Sequence, residues 1–253
     1  EISACLVGSE MCIRDRRYIF DADTHVSPYC NFDKSINACQ WEERMERAGV
    51  AHAIVWLLPQ GVVDVTESNR YIGREAQKNK RMVPFGWANI REGAEKARED
   101  ARLCLEEYGC AGVKLNGAQN EYYIDCPEAM SVMEVVAARN GMIAFHIGAD
   151  YPDFTDPIRA ERAARAFPDT KFLMVHMGGA GEPDVSQRVI ETAARNPNMY
   201  LVGSAIPAAK VKAAIDTLGP DRILFGSDTP FYDAADVIRD CLLYTSDAAD
   251  DLI

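Results

Sequence analysis

Short apolar runs alternate along the chain with longer stretches in which apolar residues recur every three or four positions. The short runs are YIFDADTHV, HAIVWLLP, RMVPFGWANI, AGVKLNG, GMIAFHIG, KFLMVHMGG, MYLVGSA and RILFGSD. They are rich in β-branched and aromatic side chains and close on or near Gly, Pro, Asn or Asp, which marks buried strands that end in turns. Between them, stretches such as REGAEKAREDARLCLEEYG and EPDVSQRVIETAARN show helical spacing and stop near Gly, Asn or Pro. Strands alternating with helices predict a parallel sheet with right-handed crossovers. Eight consecutive units favour an α/β (β/α)8 TIM barrel over a doubly wound open sheet.

Composition narrows the partners. The 253 residues are 48% hydrophobic and 26% charged, enough for one large core. A formal net charge of −12 argues against a nucleic-acid partner, because phosphate binding needs a basic face. No run reaches the roughly 18 apolar residues of a membrane-spanning helix. The chain opens on Glu1 with no basic segment, and the apolar stretch from Ala4 to Val7 is too short for a secretory signal. Eight cysteines without a C-x-x-C pair predict reduced thiols and a cytoplasmic protein. A small-molecule substrate is therefore expected, with no nucleic acid and no membrane; a homo-oligomer is compatible with the composition.

Two segments fit no element of this pattern. Residues 1–16 (EISACLVGSEMCIRDR) and 241–253 (CLLYTSDAADDLI) resemble translated sequencing-adapter read-through and are expected to be non-native. Natural disordered tails are the alternative. On the first reading the barrel occupies 17–240, and the native chain continues past Asp240, so the barrel is truncated at its C-terminal end.

Of four histidines, His25, His146 and His176 fall late in their strands, at the rim where parallel barrels carry their chemistry. His52 begins its strand and is expected at the opposite rim. Alternation assigns Asp21, Asp23 and His25 to one face of the first strand, with Asp21 a competing carboxylate. It assigns Leu224, Gly226 and Asp228 to one face of the eighth. In the fifth and sixth, His146 and His176 are expected to point inward, with Ile143, Phe145, Leu173 and Val175 toward the helices. A lone strand histidine is more often a hydrogen-bonded core residue than a ligand. Imidazoles and carboxylates converging in a buried mouth, however, need something to satisfy them. Two of each suit one divalent metal ion, Zn²⁺ first and Mn²⁺ next.

DADTH, GVKLNG, FHIG, VHMGG and LFGSDTPF lie in order at successive strand ends, and together they resemble the amidohydrolase superfamily. The likeness is to the amidohydrolase-related branch that includes aminocarboxymuconate semialdehyde decarboxylase, and it runs from about Tyr18 to about Phe231. The first-strand motif of that family is commonly His-x-His, whereas this chain has Asp23-Thr24-His25. The resemblance implies that Asp23, His25, His146 and Asp228 hold the metal. It implies that His176 is a catalytic group outside the ligand set, with Asp228 both ligand and proton carrier.

The first expected reaction is metal-assisted hydrolysis of an amide, ester or lactone, with Asp228 as base and His176 stabilising the oxyanion. The alternative is a metal-dependent decarboxylase (carboxy-lyase) or hydratase acting on a small carboxylated substrate. The second alternative is a catalytically inactive barrel. Lys114 ends the fourth strand, where some superfamily members carry a carbamylated lysine bridging two metals; a solvated or substrate-facing lysine is the plainer reading. Asn116, Trp56, Trp87 and Phe231 lie near strand ends and, with Lys114, are candidates for substrate binding, although aromatics in such places more often pack than recognise. The glycines of VHMGGAG suit a tight turn or an anion-binding nest.

Overall fold

The computed structural model describes residues 18–29, 34–58, 65–148 and 151–241. The expectations for 1–16 and for 242–253 lie outside the described residues. In chain order the elements are β1 (Ile19–Val26), α1 (Ala38–Ala48), β2 (Val50–Leu57), α2 (Val65–Lys78), β3 (Met82–Trp87) and α3 (Ala94–Glu106). There follow β4 (Gly112–Leu115), α4 (Gly117–Asn120), α5 (Pro127–Ala137), β5 (Met142–His146), α6 (Pro157–Ala166) and β6 (Phe172–Val175). The last are α7 (Ser186–Arg195), β7 (Met199–Gly203), α8 (Ala208–Leu218) and β8 (Ile223–Phe225), then a helical stretch from 234.

The strands pair in parallel in the order β1-β2-β3-β4-β5-β6-β7-β8. An open doubly wound sheet would reverse direction at a switch point; this one does not. Closure comes from the segment just past β8. The Asp228 amide donates to Asp23 O at 2.8 Å, the His25 amide to Thr229 O at 2.7 Å, and the Ser227 amide to the Asp21 carboxylate at 2.9 Å. The expected (β/α)8 barrel is the observed one. Among the described residues no helix is long and apolar enough to cross a membrane.

Two apolar layers follow from the period-two alternation of strand side chains. Ile54, Trp56, Phe85, Ala144, Leu173, Val175 and Val202 form a cluster drawn from strands alone, which fills the barrel. Val113, Leu115, Ile143, Phe145, Phe172 and Met174 pack instead with helix residues such as Val189, Ile190 and Ala193.

Alternation fails at two places, and both lie at the mouth. On β1, Asp21 pairs with Ala53 and Thr24 with Val55, so three steps of β1 oppose two of β2. This is a β-bulge, which flips the parity beyond it. Ala22 belongs to the barrel interior, and the next residue, Asp23, faces the mouth as well. Asp21 therefore does not share a face with Asp23 and His25, contrary to the alternation reading. On β6, Leu173 and Val175 point into the barrel rather than toward the helices. Strict alternation would then send His176 outward. It turns inward because the strand has ended: His176 and Met177 adopt left-handed φ values of 66° and 49°.

Candidate functional site

The mouth is organised around β1. His25 donates its Nδ1 hydrogen to Leu57 O at 2.7 Å, because a carbonyl can only accept. Its Nε2 is thereby turned toward Asp228 Oδ1, 3.3 Å away, and Asp23 Oδ1, 3.5 Å away. The Trp56 indole N–H lies 3.0 Å from Asp23 Oδ1 and 3.3 Å from His25 Nε2. Burial works against charge on Asp23, but the Lys114 ammonium and the neighbouring His25 and His176 override it, holding the carboxyl well below the usual range. Burial likewise opposes charge on His25, and hydrogen bonding to Asp228 and Asp23 more than offsets it, raising that group.

His176 and Asp228 follow their strands rather than ending them, and Asp228 also takes a left-handed φ, of 58°. Such backbone costs about 1–3 kcal/mol per residue and persists where the surroundings over-determine it, as at functional sites. Among the described residues Asp23, His176 and Asp228 each place a donor atom within 4.8 Å of the others. His146, at the end of β5, meets this group edge-on through the His176 ring, with centroids 4.7 Å apart. Burial, then the charges of His176 and Lys114, pushes the His146 imidazole well below its usual value. The loops bearing these two histidines touch at glycines. A Cβ on Gly148 would lie 2.3 Å from Gly178 Cα, and both residues have positive φ. Gly178, the first glycine of VHMGG, thus serves close backbone approach.

Lys114 is buried, with Nζ 3.9 Å from the Trp56 ring centroid and 5.6 Å from that of Trp87. Burial pulls this ammonium down, and the charges of Asp23 and Asp228 pull it back up. Phe231 stands edge-on to His25 at 5.8 Å. Trp87 gives its indole hydrogen to Asn120 Oδ1 at 3.0 Å. The Asn116 side chain caps α4, accepting from the Gln119 amide at 3.1 Å and donating to Gln119 Oε1 at 2.7 Å. His52 pairs at the amino end of β2 and lines a cleft with Glu46 and Arg81 on the opposite rim. Asp21, pushed up to about 7 by burial, accepts from the amides of Asp23 and Ser227 at the β1–β8 seam.

One residue escaped the sequence reading. Ser204 follows β7, is fully buried, and contacts both Asp23 and His176. Its signal was small: a hydroxyl two residues after Val202, on the inward face of the strand.

Carboxylate oxygens and imidazole nitrogens around one buried point form a donor set suited to Zn²⁺ or Mn²⁺. The Nδ1 anchor of His25 has the form usual for a metal-binding imidazole, whose second nitrogen is tied to a carbonyl or carboxylate. The residues present therefore fit one divalent cation.

Residues 42–249 match the family described as Amidohydrolase. No curated protein matches the chain. Among solved structures, 5-carboxyvanillate decarboxylase from Sphingomonas paucimobilis aligns with a TM-score of 0.69 at 16% identity, over 89% of this chain and 93% of that one. Dihydroxybenzoic acid decarboxylase from Polaromonas sp. JS666, with bound manganese and 2-nitroresorcinol, aligns at 0.66 and 18% identity, over 88% and 90%. The manganese complex of 5-carboxyvanillate decarboxylase from Novosphingobium aromaticivorans with 4-hydroxy-3-methoxy-5-nitrobenzoic acid aligns at 0.69 and 14% identity, over 94% and 93%. At these identities the likeness is one of fold.

Proposed function

This chain belongs to the amidohydrolase family, and on that premise we propose that it is a metal-dependent decarboxylase of small hydroxylated aromatic acids. The observation that carries the reading is the Lys114 ammonium, buried at the mouth on the face of Trp56 and electrostatically coupled to Asp23 and Asp228. An ammonium beside a cation site, lowered by burial but supported by Asp23 and Asp228, suits an anionic substrate better than a neutral amide or lactone. Structural neighbours that act on carboxylated phenols support the same choice, and those with manganese favour Mn²⁺ over Zn²⁺. Hydrolysis, the reaction expected first from the sequence, ranks second.

Asp23, His25 and Asp228, with His176 or His146 completing the set, would hold the cation. When bound, such an ion would supply a positive charge that stabilises an anionic substrate. Lys114, held on the buried face of Trp56, attracts the same anion, and Phe231 provides an apolar surface for an aromatic ring. The chemical step replaces a carboxylate with a proton on one ring carbon. The proton arrives at that carbon, the C–C bond to the carboxylate breaks, and CO₂ departs. Asp228 delivers the proton from Oδ1, because its side chain is 11% exposed whereas that of Asp23 is fully buried. Solvent at the mouth can therefore reload Asp228.

The test incubates Mn²⁺-loaded protein with hydroxybenzoic acids carrying an ortho hydroxyl and, separately, with a lactone and amide panel. CO₂ release from at least one acid is expected. Ring opening of a lactone without CO₂ release from any acid would return the assignment to hydrolysis. Failure to bind metal would leave an inactive barrel.

A further inference from the structure

The three contacts of Ser204 fix where the hydrogens are. Its Oγ lies 2.6 Å from Asp23 Oδ2 and 3.0 Å from His176 Nδ1, and its carbonyl oxygen is 3.1 Å from the same nitrogen. A hydroxyl has one hydrogen to give. An ionised carboxylate is the stronger acceptor and makes the shorter contact, so that hydrogen goes to Asp23. Toward His176 the hydroxyl can then only accept, as can the carbonyl. Nδ1 must therefore carry a hydrogen, and in the neutral ring the lone pair sits on Nε2.

We propose that Ser204 is a positioning residue that binds Asp23 and His176 into one hydrogen-bonded unit and holds His176 in the Nδ1–H tautomer. The inference rests on the decarboxylase reading for the reaction it serves, and on geometry alone for the hydrogen positions. Two consequences follow. Asp23 has both oxygens tied, Oδ1 by Trp56 and Oδ2 by Ser204, so the carboxylate cannot rotate away from the mouth. In the neutral ring Nε2 is bare, open as a base or ligand and without a hydrogen to donate.

Two measurements test this without substrate. In metal-free protein, ¹⁵N imidazole NMR under conditions where His176 is neutral should show Nδ1 protonated and Nε2 bare. The reverse pattern would mean that the Ser204 hydroxyl donates to the ring, and the proposal fails. Calorimetric titration with Mn²⁺ should show Ser204→Ala weakened roughly 10–100-fold, the usual effect of losing a group that orients a ligand. Ser204→Thr, which keeps the hydroxyl, should recover most of that loss. Unchanged affinity in the folded alanine variant overturns the proposal. Should that variant not fold, the wild-type tautomer and the threonine affinity decide. Absence of CO₂ release with both results as expected would sink the decarboxylase reading and leave this one standing.

Discussion

His25 gives its Nδ1 hydrogen to Leu57 O at 2.7 Å, tying the end of β1 to the end of β2 and aiming the opposite nitrogen at two carboxylates. A ring so anchored needs no rearrangement to receive a cation. His25→Ala should weaken Mn²⁺ binding by roughly 100-fold or more, above the effect of losing an orienting partner. Calorimetric titration checks this, and near-normal affinity would remove His25 from the ligand set.

Asp228→Asn separates charge from backbone. Asparagine tolerates the left-handed φ of 58° at this position better than most residues, so the turn should survive. An amide can still coordinate but carries no proton to deliver. Turnover should fall by roughly 10²–10⁴ while metal is partly retained. Steady-state kinetics alongside metal content would show it, and unimpaired turnover would move the acid elsewhere.

For Lys114→Met two readouts should move apart. Losing a buried charge opposite an anionic substrate weakens its binding by about 2 kcal/mol or more. Mn²⁺ affinity should not fall, because the ammonium repels a neighbouring cation. A KM that stays put would mean that Lys114 faces no substrate carboxylate.

Far from the mouth, Glu161 on α6 accepts from Arg165 at 2.7 Å and from Arg195, at the end of α7, at 3.1 Å. The hydrogen bond from Arg195 is the main reason its carboxyl lies below the ordinary 4.5, with burial acting against it. A carboxyl lowered on folding stabilises fully above its unfolded pKa, and that contribution fades as pH falls through the folded value. Glu161→Gln should therefore cost about 1–3 kcal/mol near neutral pH, the size of hydrogen bonds to a charged group. Urea unfolding at neutral pH and again in acid below the folded pKa would test it. An equal loss at both would show that packing, not charge, is responsible.

Residue order alone made most of the fold legible. Eight apolar runs bounded by turn residues, with helical spacing between them, sufficed for the barrel, because both periodicities arise from local backbone geometry. The same order brought Asp23, His25, His146, His176 and Asp228 to the carboxyl-end rim, although His176 and Asp228 fall just past their strands rather than within them. Their final directions came from contacts distant in sequence. The β1 bulge, which separates Asp21 from Asp23, exists through pairing with β2. The inward turn of His176 depends on left-handed backbone after β6, and that of Asp228 on barrel closure against β1. Asn116 turned out to cap a helix, and Ser204 gained its partners only when barrel closure brought Asp23 of β1 and His176 past β6 within reach of the end of β7. Alternation is set one residue at a time, whereas bulges, positive φ and shared hydrogens are set by whichever neighbours the closed barrel brings alongside.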